Sequence, residues 1–63
     1  MPITNVEVDL VGTDGNAFII LGKVTKALKQ AGHEDLVDQF MEEATAGDYD
    51  NLLRVVMEYV EVV

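Results

Sequence analysis

The sequence predicts a small α+β domain: an N-terminal strand, three helices, and a short C-terminal strand that pairs with the first. Three observations predict it. Residues 3–11 alternate between apolar and polar. Three later blocks, separated by Gly32 and Gly47, repeat apolar residues at helical spacing. The chain then ends on Tyr59-Val60-Glu61-Val62-Val63, which is rich in β-formers.

In the first segment Val6, Val8 and Leu10 share one face, and Asn5, Glu7 and Asp9 share the other. That period of two marks a half-buried strand over 3–11. Gly12-Thr13-Asp14-Gly15-Asn16 is a turn by composition, and Asp14 or Asn16 can cap the helix that follows. At about 100° per residue, Ala17, Ile20, Leu21, Val24, Ala27, Leu28 and Ala31 fall in one stripe, with Lys23, Lys26 and Lys29 outside it. Gly32 stops this helix as a C′ glycine, and lysines near its end suit the helix dipole.

A second helix is expected over residues 34–46, with Leu36, Val37, Phe40, Met41 and Ala44 as its apolar face and Glu34 and Asp35 in its first turn. Gly47 ends it. Asp48 or Asp50 caps a third helix that starts near residue 49, along which Tyr49, Leu52, Leu53 and Val56 recur at helical spacing. The tail can continue this helix or form a strand; an unpaired N-terminal strand would leave backbone groups unsatisfied, so residues 59–63 are assigned as its partner. The expected core gathers Val8, Val24, Leu28, Phe40 and Leu53.

Composition bounds the function. With 63 residues the chain forms one domain, 1–63, around one core. A domain this small buries only about 60% of the surface its unfolded form exposes. There is no cysteine to staple it, and His33 is the lone histidine, which excludes a multi-histidine metal site. The longest apolar run, Ala17 to Leu21, falls far below the ~20 residues that span a bilayer. The N-terminus shows no signal-peptide pattern, so a cytoplasmic protein is expected. Twelve acids against four bases give a net charge of −8, which repels nucleic-acid phosphates and anionic lipid. Direct nucleic-acid or membrane binding is therefore not expected. The charge is split: Gly15 to His33 holds three lysines and no acid, and Glu34 to Asp50 holds seven acids and no base.

No segment matches a catalytic, cofactor or metal pattern. The strand-to-helix turn lacks both the P-loop and the dinucleotide glycine patterns, and Asp14 would repel phosphate. Gly47-Asp48-Tyr49-Asp50-Asn51 clusters oxygen ligands, but Leu52 takes the third ligand place of a calcium loop and no glycine follows it. Helix capping explains both aspartates. His33 has no cysteine or serine anywhere in the chain to activate. Acid pairs such as Asp38 with Glu42 or Glu43 read as a solvated helix face. A chain this short leaves little room for a ligand pocket of about 300–1,000 Å³.

The most informative surface is the outer face of the first helix. Phe18 and Ile19 lie off the apolar stripe and Lys23, Lys26 and Lys29 surround them. Two readings stand. An apolar spot ringed by lysines marks a contact site for a partner. Alternatively Phe18 wraps the edge of the core and Ile19 is one scattered surface residue, which is the commoner situation.

At Asp14-Gly15-Asn16-Ala17-Phe18 and Gly47-Asp48-Tyr49-Asp50-Asn51-Leu52-Leu53 the chain resembles a group of short uncharacterised bacterial proteins, similar to the cargo of phages, prophages and other mobile elements. The resemblance covers most of the chain. It implies a phage-type accessory protein that binds another protein, and it carries over no activity and no functional residue.

The expected function is therefore that of a small acidic, non-enzymatic interaction protein without cofactor, acting on a protein partner or on itself. The alternative is an acidic nucleic-acid mimic, whose ordered carboxylates between Glu34 and Asp50 occupy the nucleic-acid site of a host protein. Two short strands with open edges also favour a homodimer slightly over a monomer.

Overall fold

The computed structural model describes residues 2–12 and 15–63. Its elements run β1 (Glu7–Val8), α1 (Ala17–Gln30), a 3-10 turn (Glu34–Leu36), α2 (Val37–Ala44), α3 (Tyr49–Tyr59) and β2 (Glu61–Val62). β1 and β2 form a two-stranded parallel sheet in the register Glu7↔Glu61 and Val8↔Val62. All three helices lie between the two strands in sequence, so the chain leaves the sheet, builds the helical layer and returns to it.

Each helix begins and ends for a local reason. Asn16 caps α1, its side-chain oxygen accepting the Ile19 amide at 3.1 Å. The amides of Gly32 and His33 reach back to the carbonyls of Lys29 and Leu28 at 3.2 and 2.8 Å. That paired closure needs a left-handed residue, and Gly32 supplies it at φ +85°. Asp48, rather than Asp50, caps α3 by accepting the Asn51 amide at 3.0 Å. Asp14, the other candidate cap of α1, lies outside the described residues.

The core collects Val8, Ile20, Val24, Leu28, Phe40, Ala44, Leu52, Val55, Val56, Tyr59 and Val60. Four of the five expected core residues are in it. Leu53 packs only partly against it, because α3 turns Leu52, Val55, Val56 and Tyr59 inward. Val24, Leu28, Phe40 and Val56 have no exposed surface at all, and burying a side chain of that size contributes about 1.5–3 kcal/mol.

Three boundaries differ from the sequence expectation. The strand expected over 3–11 is paired as a strand only at Glu7–Val8. Its alternation still holds: Val8 is buried and Val6 and Leu10 pack against the core. The period of two reports which way the side chains face, whereas pairing is limited by the length of the partner. The partner is short because Tyr59, expected in the C-terminal strand 59–63, is the last residue of α3. Its aromatic ring continues the inward phase of Leu52, Val55 and Val56, and that burial outweighs the β preference of the tail. The helix expected over 34–46 starts as a 3-10 turn, with the Leu36 amide bonded to the His33 carbonyl at 2.9 Å, and is α-helical only over Val37–Ala44.

Tyr59 is the junction of the fold. Its ring meets Phe40 edge to face, centroids 5.4 Å apart and planes at 72°. Its hydroxyl donates to Glu43 at 2.5 Å. Its carbonyl accepts both the Thr4 amide at 3.1 Å and the Thr4 hydroxyl at 2.7 Å. Thr4 is correspondingly buried. Beyond the junction the amides of Glu61 and Val63 donate to the carbonyls of Val6 and Val8 at 2.8 and 3.0 Å.

Burial of the Tyr59 phenol, and then its bond to Glu43, push its pKa up to about 12 from the ordinary 10.0. The unfolded chain releases this proton near its ordinary value and the folded chain keeps it. Stability from this group is therefore complete below pH ~10 and is lost as pH rises through ~12. Tyr49→Phe leaves Tyr59 as the sole tyrosine. Its phenolate absorbance is expected to appear near pH 12, together with loss of helical circular dichroism. A midpoint near the ordinary value with the helices intact would contradict the burial.

Candidate functional site

The outer face of α1 carries what the interior does not take. Phe18 is 87% exposed and Ile19 45%. Lys23, Lys26 and Lys29 are exposed along the same helix. Phe18 therefore does not wrap the core edge. At about 100° per residue, Phe18, Ile19, Gly22, Lys26 and Lys29 share one arc about 100° wide. Lys23 sits at the margin of that arc, and its ammonium donates to the Asp9 carbonyl at 3.1 Å, which ties α1 to the end of the strand segment. Lys26 and Lys29 make no ion pair among the described residues. The ion pair found there is Arg54 with Glu58 on α3 at 3.5 Å, an exposed i,i+4 contact worth about 0.3–0.5 kcal/mol.

Beside this face lies an apolar cleft of about 310 Å³ between the start of α1 and the α2–α3 turn. Ala17, Phe18 and Leu21 form one wall, and Ala44, Tyr49 and Leu52 the other. The walls are joined where the Gly15 amide donates to the Tyr49 hydroxyl at 3.1 Å. Gly47 also lines the cleft. A Cβ there would stand 3.0 Å from the Asn51 Cβ, while the Asn51 amide group bonds the Glu43 carbonyl at 3.0 Å and so ties α3 to α2. The sequence expectation left little room for a pocket. The cleft lies between the start of α1 and the α2–α3 turn, and only their packing shows it.

Gly22 stands at the centre of the exposed arc. Glycine inside a helix costs about 0.5–1 kcal/mol relative to alanine. A Cβ at Gly22 would meet nothing within 4 Å, and its φ is not in the left-handed region. Neither packing nor backbone conformation in this chain calls for glycine here. Its effect is a notch in the helix surface, one turn from Phe18 on one side and one turn from Lys26 on the other.

The remaining sequence candidates have structural roles. Asp48 is a helix cap. The His33 amide and carbonyl serve the end of α1 and the start of the 3-10 turn. Among the described residues no group of three or more His, Asp or Glu gathers as a metal site. Asp35, Asp38 and Glu42 are exposed and spaced three and four apart along the 3-10 turn and α2, an acidic ridge. Comparison with protein-family models, curated proteins and solved structures finds no match.

If Gly22 serves only what lies outside the chain, Gly22→Ala should stabilise the isolated protein by about 0.5–1 kcal/mol. Urea denaturation of the two proteins measures this. Destabilisation would show that the position has an internal role.

Proposed function

We propose that this chain is a small acidic, non-enzymatic interaction protein, a phage or mobile-element accessory factor of the cytoplasm, that grips a protein partner through the outer face of α1. The supporting observation is Phe18, held 87% exposed at the rim of an apolar cleft. Burying an aromatic side chain contributes about 1.5–3 kcal/mol, and this domain forgoes that gain. Exposed aromatic residues beside a pocket are the usual anchors of protein interfaces. Lys26 and Lys29 continue the surface with charges that have no internal counterpart among the described residues.

The acidic ridge of Asp35, Asp38 and Glu42 favours a second reading, in which the chain mimics nucleic acid and covers the basic site of a host protein. The two readings place the contact on different helices and differ in salt sensitivity, since charge–charge contacts are screened while apolar burial is not.

Affinity capture from host lysate separates them. Wild type, Phe18→Ser, Asp38→Asn/Glu42→Gln and a control, Met57→Ser, are immobilised in parallel. The control alters an exposed apolar residue on α3, outside the cleft. The interaction reading predicts a protein retained by wild type and by the control, resistant to moderate salt and lost with Phe18→Ser. Equal capture by wild type and Phe18→Ser contradicts it. Capture that depends on Asp38 and Glu42 and fails in salt assigns the mimic instead.

A further inference from the structure

Resting on the interaction reading, we infer that the element docking on α1 is an acidic amphipathic helix of another protein, laid across the Gly22 notch with one large apolar side chain in the cleft. Three independent features of the same face converge on this occupant. The cleft, at about 310 Å³, holds one aromatic or branched aliphatic side chain; its lining is mostly apolar, with Thr45 and Asp48 on the α2–α3 side, so the partner's acids belong at the lysine end. Along the helix axis, Lys26 and Lys29 lie about 8 and 12 Å beyond Leu21, at 1.5 Å per residue. A helix that places its anchor in the cleft brings residues one and two turns away over these two ammonium groups. Carboxylates are the groups that complement them. Between the anchor and the charges lies Gly22, where nothing fills the space of a Cβ. Helix axes normally approach to 8–10 Å, set by the side chains at the contact, and a glycine at the crossing lets the partner backbone settle into the notch. Recognition through anchors at i, i+3, i+4 and i+7 is the helix-in-groove mode.

Charge decides against two other occupants. A polynucleotide would bring its phosphates against a chain of net charge −8, whereas a helix brings only a few carboxylates, directly to the lysines. In a second copy, α1 against α1 brings no carboxylate to Lys26 and Lys29 in either orientation, since Gly15 to His33 holds no acid. The acidic ridge of one copy is complementary in charge to α1 of the next, and the oligomer measurement in the test below decides that occupant.

The test is selection of a helix-biased phage-displayed library, of about 16 residues or about 24 Å of helix, on the intact wild-type chain. The consensus peptide is then titrated by fluorescence anisotropy. Gly22→Gln is the decisive variant, because its side chain enters open space in the chain itself. It should keep its circular dichroism and melt no lower than wild type while filling the notch. Expected are a consensus with one Leu, Phe or Trp and acids at i+3, i+4 or i+7 from it, and binding weakened by about tenfold or more in folded Gly22→Gln. A basic or uncharged consensus, no enrichment, or equal affinity for Gly22→Gln overturns the inference. So does a wild-type dimer in sedimentation equilibrium that Gly22→Gln converts to monomer, since that assigns the face to a second copy. A Phe18-dependent partner in the lysate with a non-acidic consensus overturns this inference alone and leaves the broader reading standing.

Discussion

Tyr59 is the constraint on which the rest of the structure depends. α2 and α3 pack on one another, and the N-terminal segment must be fastened to the end of α3. Tyr59 joins them through each of its parts: ring to Phe40, hydroxyl to Glu43, carbonyl to Thr4. Because the carbonyl accepts two bonds from Thr4, the N-terminal segment is aligned with the end of α3 before the strands begin. The register Glu7↔Glu61 follows from that alignment, although it sets two exposed carboxylates opposite one another, a pairing that by itself disfavours a sheet. The core contacts of Val8 and Val60, both buried, offset this repulsion. β1 in turn positions α1, which packs against it and is tied by Lys23 to Asp9, the residue that follows it.

Much of this was legible in the chain, for identifiable reasons. Caps and stops are local: Asn16, Gly32 and Asp48 act within a few residues of themselves, so their chemistry can be read without tertiary knowledge. The helical phase of α1 was equally plain, since Ile20, Val24 and Leu28 alternate with lysines. Tyr59 was misread as strand because its neighbours favour extended backbone, while its own place is set by Phe40 and Glu43, 19 and 16 positions earlier. The role of Thr4 was hidden for the same reason, its partner lying 55 residues away. Phe18, Ile19, Lys26 and Lys29 share one exposed arc that periodicity alone shows, whereas Lys23, grouped with them in the sequence, is held at its margin by the Asp9 carbonyl. The cleft beside them was not legible, because it is a gap between α1 and the α2–α3 turn. Gly22 could have been noticed as an interior helix glycine, but only the open space around it separates a notch from a packing contact.

The two sides of α1 divide the work of the domain. The inner side supplies three wholly or almost wholly buried residues, Ile20, Val24 and Leu28, to a core that is small by necessity. The outer side departs from what stability alone would select: an exposed phenylalanine, an interior glycine, and lysines without internal acids. Places where local rules are broken without internal compensation are where function is expected. A helix rigidly held on its inner side can present such a surface at low entropic cost, because the backbone is already ordered before a partner arrives.

The central claim is that the Tyr59 junction and the helical core form one cooperative unit. Native-state hydrogen exchange tests it most directly. The Thr4 and Glu61 amides, bonded to the carbonyls of Tyr59 and Val6 at 3.1 and 2.8 Å, are compared with those of Val24 and Leu28 within α1. The account predicts that all four exchange through global unfolding, with one common opening free energy that shifts together in dilute denaturant. Rapid exchange at Thr4 and Glu61 while Val24 and Leu28 stay protected would contradict it, showing the strands to be an attachment that opens without the core.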